Sequence, residues 1–219
     1  MTSRRLLDLL WLVTEHPLVA SKALDYAFVA GELTERLVLV LGENGAGKSL
    51  LRRVVSQTVG RDVVALSMED RGYPSAAVDY AGEGQDSTGS LSARALRNTL
   101  ARSGRRHREH IVVLDEPDLG ASDNLAAGIG LALADWLASP QSEPAFGVFV
   151  TTHNRAMVTE LIRGRSPHLL WFGPDAPGTV AEWLARPIVP RTLDEALASS
   201  RATETRVRRV LRQMRKGKT

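Results

Sequence analysis

With 219 residues, 43% of them hydrophobic and 24% charged, the chain has the size and composition of one soluble α/β domain, which excludes a disordered or fibrous protein. It has no cysteine, so disulfides, cysteine-ligated zinc and iron–sulfur clusters are excluded and a cytoplasmic protein is expected; no stretch reaches the ~20 apolar residues of a membrane helix, so no membrane insertion is expected. The net charge of +3 is uneven, because eight bases between Arg201 and Lys218 face the single acid Glu204, giving that tail +7 and the remainder −4.

Residues 3–7, Ser-Arg-Arg-Leu-Leu, resemble a twin-arginine export signal, but the apolar run that follows is short and broken by Asp8. The segment reads instead as a packing helix over 4–13, with Leu6, Leu9, Leu10 and Val13 on one face and Glu15-His16-Pro17 at its end. An edge strand is expected over 26–30, then a turn at Gly31 and a strand over 36–41, whose run Leu-Val-Leu-Val-Leu lacks polar alternation and so reads as buried on both faces. A helix over 48–58 closes near Gly60 and leads to a strand over 62–67.

Residues 69–88 are rich in Gly, Asp, Ser and Tyr and read as loop; a helix follows over 91–102 with Ser90 or Thr88 placed to cap it. Apolar strands are expected over 111–114, 147–151 and 168–172, with a helix over 124–138 between the first two. Buried strands alternating with helices predict a layered α/β fold, a largely parallel sheet flanked by helices, and the turn Gly42-x-x-x-x-Gly47-Lys48-Ser49 between the strand at 36–41 and the helix at 48–58 makes it one of the P-loop NTPase class. Beyond Pro187 and Pro190 the composition changes: Thr192 and Glu195 have capping-box spacing, and Val207, Val210, Leu211 and Met214 form an apolar stripe on an arginine-covered helix. The chain is therefore divided into an ATPase domain over 1–190 and a basic helical tail over 191–219. The tail, and a second basic cluster at Arg102, Arg105, Arg106 and Arg108 with His107 and His110, read either as solvated surface or as nucleic-acid contacts.

Three motifs carry the chemistry. Gly42-Glu43-Asn44-Gly45-Ala46-Gly47-Lys48-Ser49 follows a buried strand and opens a helix. Its glycines let backbone N–H groups surround a phosphate, Lys48 supplies charge at the β and γ oxygens, and the Ser49 hydroxyl is a Mg²⁺ ligand, so ATP and Mg²⁺ are the expected cofactors. The second is Ile111-Val112-Val113-Leu114-Asp115-Glu116, in which an acid ends a strand taken to adjoin the phosphate loop. Asp115 is assigned to magnesium and Glu116 to polarising the attacking water. The third, Thr151-Thr152-His153, ends another buried strand; a histidine there is either structural or in reach of the γ-phosphate.

In this order the three motifs resemble the nucleotide-binding domain of ABC-type ATPases, and the run Asp115-Glu116-Pro117-Asp118-Leu119-Gly120-Ala121-Ser122 is similar to that of the RecF, SMC and OLD branch. The resemblance covers roughly residues 37–172. It implies that His153 is the switch histidine, that 120–123 form the D-loop crossing to a second subunit, and that the ATP-bound form pairs as a homodimer or with a related ATPase subunit, in a complex with other proteins that serves DNA maintenance or defence. The family's signature, which binds the γ-phosphate of the facing subunit, has its best match at Thr88, Gly89 and Ser90, within a degenerate Ser87-Thr88-Gly89-Ser90-Leu91; an ordinary helix cap is the alternative. Only 67 positions separate Lys48 from Asp115, too few for the helical subdomain of a transporter or for coiled-coil arms, and no glutamine follows Ser67 where the family's magnesium ligand stands. Tyr26 and Phe28 are either core residues or adenine-stacking ones. Two other functions remain: an ATP-binding transporter subunit, and a nucleotide-gated module with negligible turnover.

Overall fold

The structure, a computed structural model, describes residues 2–20, 24–43, 45–60, 62–67 and 87–216. A six-stranded sheet lies between two helical layers, in the order β1-β6-β2-β5-β4-β3. The strands are β1 (Tyr26–Val29), β2 (Leu37–Gly42), β3 (Val63–Ser67), β4 (His110–Asp115), β5 (Ala145–Thr151) and β6 (His168–Phe172). All neighbours are parallel except β1, which runs antiparallel on the edge beside β6. Strand β5 pairs with both β2 and β4 and stands between them, so the Asp115 strand is one place removed from β2 in the sheet. Strand order depends on contacts distant in the chain, which local apolar patterning does not encode.

The lack of alternation in β2 follows from its position. Leu37, Leu39 and Leu41 enter the core on one face, and Val38 and Val40 the core on the other. The first face is covered by α4 (Thr88–Gly104), α5 (Asp123–Ala138), α6 (Arg155–Leu161) and α7 (Val180–Ala185), through residues such as Leu96, Leu133, Met157 and Trp183. The second face is covered by α1 (Thr2–Glu15) and α3 (Lys48–Val59). Leu6, Leu9, Leu10 and Val13 of α1 are all buried there, which makes α1 the packing helix expected, each side chain contributing roughly 1.5–3 kcal/mol. A short helix, α2 (Pro17–Ala20), follows it.

Most of the expected loop 69–88 lies outside the described residues, apart from its end, where Thr88 already belongs to α4. The cap is Ser87, not Ser90 or Thr88: its Oγ accepts from the Ser90 N–H at 3.3 Å, with the Ser90 hydroxyl 2.9 Å away. At the far end, α8 (Leu193–Lys216) begins with the expected capping box, the Thr192 N–H donating to Glu195 Oε2 at 2.8 Å and the Glu195 N–H to Thr192 Oγ1 at 3.2 Å. Its stripe docks in part: Val210 is buried in the α1/α3 core and Val207 packs against it, while Leu211 is exposed. Tyr26 and Phe28 pair with Phe172 and His168, at 6.5 and 5.8 Å between ring centres. In the second basic cluster His110 is buried, hydrogen-bonded to Ser103 at 2.7 Å, and Arg108 pairs with Asp62 at 3.2 Å.

Candidate functional site

The turn from β2 into α3 is built by glycines in a conformation that side chains rarely adopt, with φ of 142° at Gly42, 72° at Gly45 and 100° at Gly47. At Gly42 the requirement is also steric, since a Cβ would stand 2.0 Å from the Phe172 carbonyl oxygen. Gly47 precedes α3 without any side-chain cap, and the first turn holds no acid, so its amide groups are presented to an anion. Asn44 and the side chain of Ser49 lie outside the described residues.

Lys48 is only 5% exposed, and its Nζ donates to the carbonyl oxygens of Glu43 at 2.6 Å and Gly42 at 3.2 Å. Burial pulls its pKa from 10.5 down to about 8, against the upward pull of Glu116, Asp115 and Glu43. Those carboxylates come from the ends of β2 and β4. Asp115 is buried at the end of β4, where the Ser67 hydroxyl donates to its Oδ2 at 3.4 Å from the end of β3. Glu116 follows at φ 52°, held by its own N–H on the Thr151 carbonyl at 2.9 Å, and its Oε1 lies 3.4 Å from His153 Nε2. The hydrogen bond from His153 holds the Glu116 carboxyl below its ordinary pKa despite partial burial, with help from the charges of His153 and Lys48.

Gly45, Gly47, Lys48, Glu116 and His153 thus line one cavity of about 460 Å³. Leu50 of α3 adds to it, and the facing wall comes from Ser200, Thr203, Glu204 and Val207 of α8, a contribution the sequence did not disclose. Chemically, the cavity sets a buried cation and a helix N-terminus against a histidine-bound carboxylate, an arrangement able to hold a polyphosphate and accept a proton from water beside it. A family model described as "ATPase family associated with various cellular activities (AAA)" matches residues 38–174, more than half of the chain, from β2 to just beyond β6. The chain belongs to the AAA family. Neither a curated protein nor a solved structure matches it. The matched span of this AAA-family P-loop ATPase takes in the loop after β2 and the ends of β4 and β5.

Thr88, Gly89 and Ser90 do not line the cavity of Lys48, Glu116 and His153; Ser90 lines a different, apolar one between α4 and α5. Gly89 is buried against its own chain, where a Cβ would stand 2.9 Å from the Gly120 carbonyl oxygen. Sequence reasoning also missed a buried carboxylate, Asp118. Thr152 Oγ1 reaches both its oxygens, at 2.9 and 3.0 Å, and accepts from the Asn154 N–H at 3.0 Å, tying the loop after β4 to the loop after β5. Burial pushes the Asp118 pKa up, opposed by the Thr152 hydrogen bond. The only signal was a threonine before His153 in a strand end otherwise read for its histidine. Among the described residues, no helix is long and apolar enough to cross a membrane.

Proposed function

We propose that this ATPase hydrolyses ATP in the manner of the compact ABC-type enzymes of the RecF, SMC and OLD kind, pairing with a second subunit when ATP is bound. The observation that carries it is the Glu116–His153 pair facing Lys48 across one cavity. Lys48 and the loop amides of 42–49 bind the phosphates, Glu116 takes the proton of the attacking water, and His153 orients that carboxylate and the γ-phosphate. Ser49 and Asp115 offer the hard oxygen donors that suit Mg²⁺, with Ser67 supporting Asp115, and the ion would supply positive charge to the β and γ oxygens. Thr88, Gly89 and Ser90 act in trans, which accords with their place outside the cavity of their own chain. The work done is a DNA-maintenance or defence function, supported by the exposed Arg209 and Arg212 on α8, which can meet a nucleic-acid backbone.

Glu116→Gln should slow turnover by ~10²–10⁴-fold while retaining ATP. In light scattering that variant should dimerise with Mg-ATP and stay monomeric with ADP. Gly89→Asp is unsuitable as the interface test because it would disrupt packing within one chain. Ser90→Asp is exposed and should abolish the dimer by setting a carboxylate against phosphate. One mass with both nucleotides would refute homodimerisation.

A further inference from the structure

Helix α8 lies across the mouth of the phosphate loop. A Cβ built at Gly45 would stand 2.8 Å from Ser200 Cβ and 2.9 Å from Ser200 Cα, so the loop and the helix backbone are in close contact. The helix is fastened at both sides of that contact. Before it, Arg191 makes a two-pronged ion pair with Glu43 of the loop itself, at 2.7 and 2.9 Å. After it, Arg206 pairs with Asp25 at 3.0 Å. These pairs are exposed, and the face between them is small and polar, Ser200 and Thr203, with Val210 as the buried anchor. Such a contact is held weakly enough to open.

The charge on that face is the decisive feature. Between Arg201 and Lys218 the chain has eight bases and one acid, and the acid, Glu204, is the charged residue of α8 on the wall of the phosphate cavity. A helix evolved to grip a triphosphate from above would present one of its arginines there. A carboxylate instead repels the incoming phosphates, while Arg208 neutralises it from the next turn at 2.5 Å.

We propose that α8 is an autoinhibitory strap: its face from Ser200 to Val207 closes the phosphate loop, with Glu204 toward the phosphates, and Mg-ATP competes with it for the mouth of the site. The strap rests on ATP occupying this loop, and in the paired form the second subunit meets the side that α8 covers.

The test uses the full chain and a fluorescent ATP analogue with Mg²⁺. Arg191→Ala and Glu204→Gln should each tighten binding about two- to five-fold, the range expected from releasing one exposed ion pair or one repulsion. The chain has no cysteine, so Asp25→Cys with Arg206→Cys supplies its only thiols. Bridging them with a disulfide-linked bifunctional reagent should weaken binding by at least about tenfold, because the open form is depleted, and reduction should restore it. A bridged chain that binds as well as the reduced one overturns the strap, and so does weaker binding by Arg191→Ala or Glu204→Gln, which would make α8 part of the nucleotide site. Lys48→Ala in the Arg191→Ala chain separates the two ideas: it should abolish binding whether or not the strap holds. If neither the parent nor the released variants bind Mg-ATP, ATP binding by this loop falls, and the strap with it.

Discussion

Replacing Lys48 with Met should stabilise the chain near neutral pH while removing ATP binding. The lysine is almost fully buried with a pKa near 8, against 10.5 for the free side chain, so folding at pH 7 forces a charge into a site that disfavours it. That difference corresponds to about 3 kcal/mol lost below pH 8. The sign follows from proton counts: between pH 8 and 10.5 the unfolded chain holds more protons on this group than the folded chain, so the penalty shrinks as pH rises through that window. About 1 kcal/mol should be recovered between pH 7 and 9, and about 2.5 by pH 10. Met fills similar volume without charge, but strands the carbonyls of Gly42 and Glu43, at roughly 1 kcal/mol each. The net expectation at pH 7 is a gain of about 1 kcal/mol, or ~2–4 °C in Tm for a chain of this size. Denaturant melts of both proteins at pH 7 and 9 measure it, and the parent should gain about 1 kcal/mol more than the variant over that interval. Parallel stability–pH profiles would refute the argument, because they would show that Lys48 is not the group losing its proton.

Two further outcomes follow from contacts away from the phosphates. Thr152→Val removes the donor shared by both Asp118 oxygens and should cost roughly 1–3 kcal/mol in denaturation, with the Asp118 pKa rising further; an unchanged midpoint would show the pair to be incidental. Arg209→Ala with Arg212→Ala leaves the docked Val207 and Val210 in place and should reduce the salt slope of duplex binding by about 2, whereas an unchanged slope would exclude α8 from nucleic-acid contact.

What was legible in the sequence was what a few neighbouring residues decide. The uninterrupted Leu-Val run of β2, the spacing of Leu6, Leu9, Leu10 and Val13, and the Thr192–Glu195 capping box each describe a local physical requirement, and each is met. The glycine-built turn after β2 was legible for the same reason, because its glycines are needed within one turn. The insertion of β5 between β2 and β4 was hidden, since any apolar strand satisfies local patterning in any slot of the sheet. Periodicity also assigned an inner side to α8 without saying what that side faces, and a helix described by its arginines concealed the one acid that matters to its placement.

The costs in this fold collect at one end of the sheet. Three glycines at positive φ, a buried ammonium and a glutamate at φ 52° all lie at or just beyond the ends of β2 and β4. A non-glycine residue in that region costs on the order of 1–3 kcal/mol and persists only where its surroundings hold it. Here the surroundings are identifiable: the Glu116 N–H is taken by Thr151, its carbonyl by the Leu119 N–H at 3.1 Å, and the loop beyond it is tied through Asp118 to Thr152. Because Thr151, Thr152 and His153 are consecutive, the bonds that fix the Glu116 backbone also fix the histidine that meets its carboxylate. The loops after β4 and β5 are therefore held to one another where they face the loop after β2, and under the strap proposed for α8 the wall that would move is the one that helix contributes.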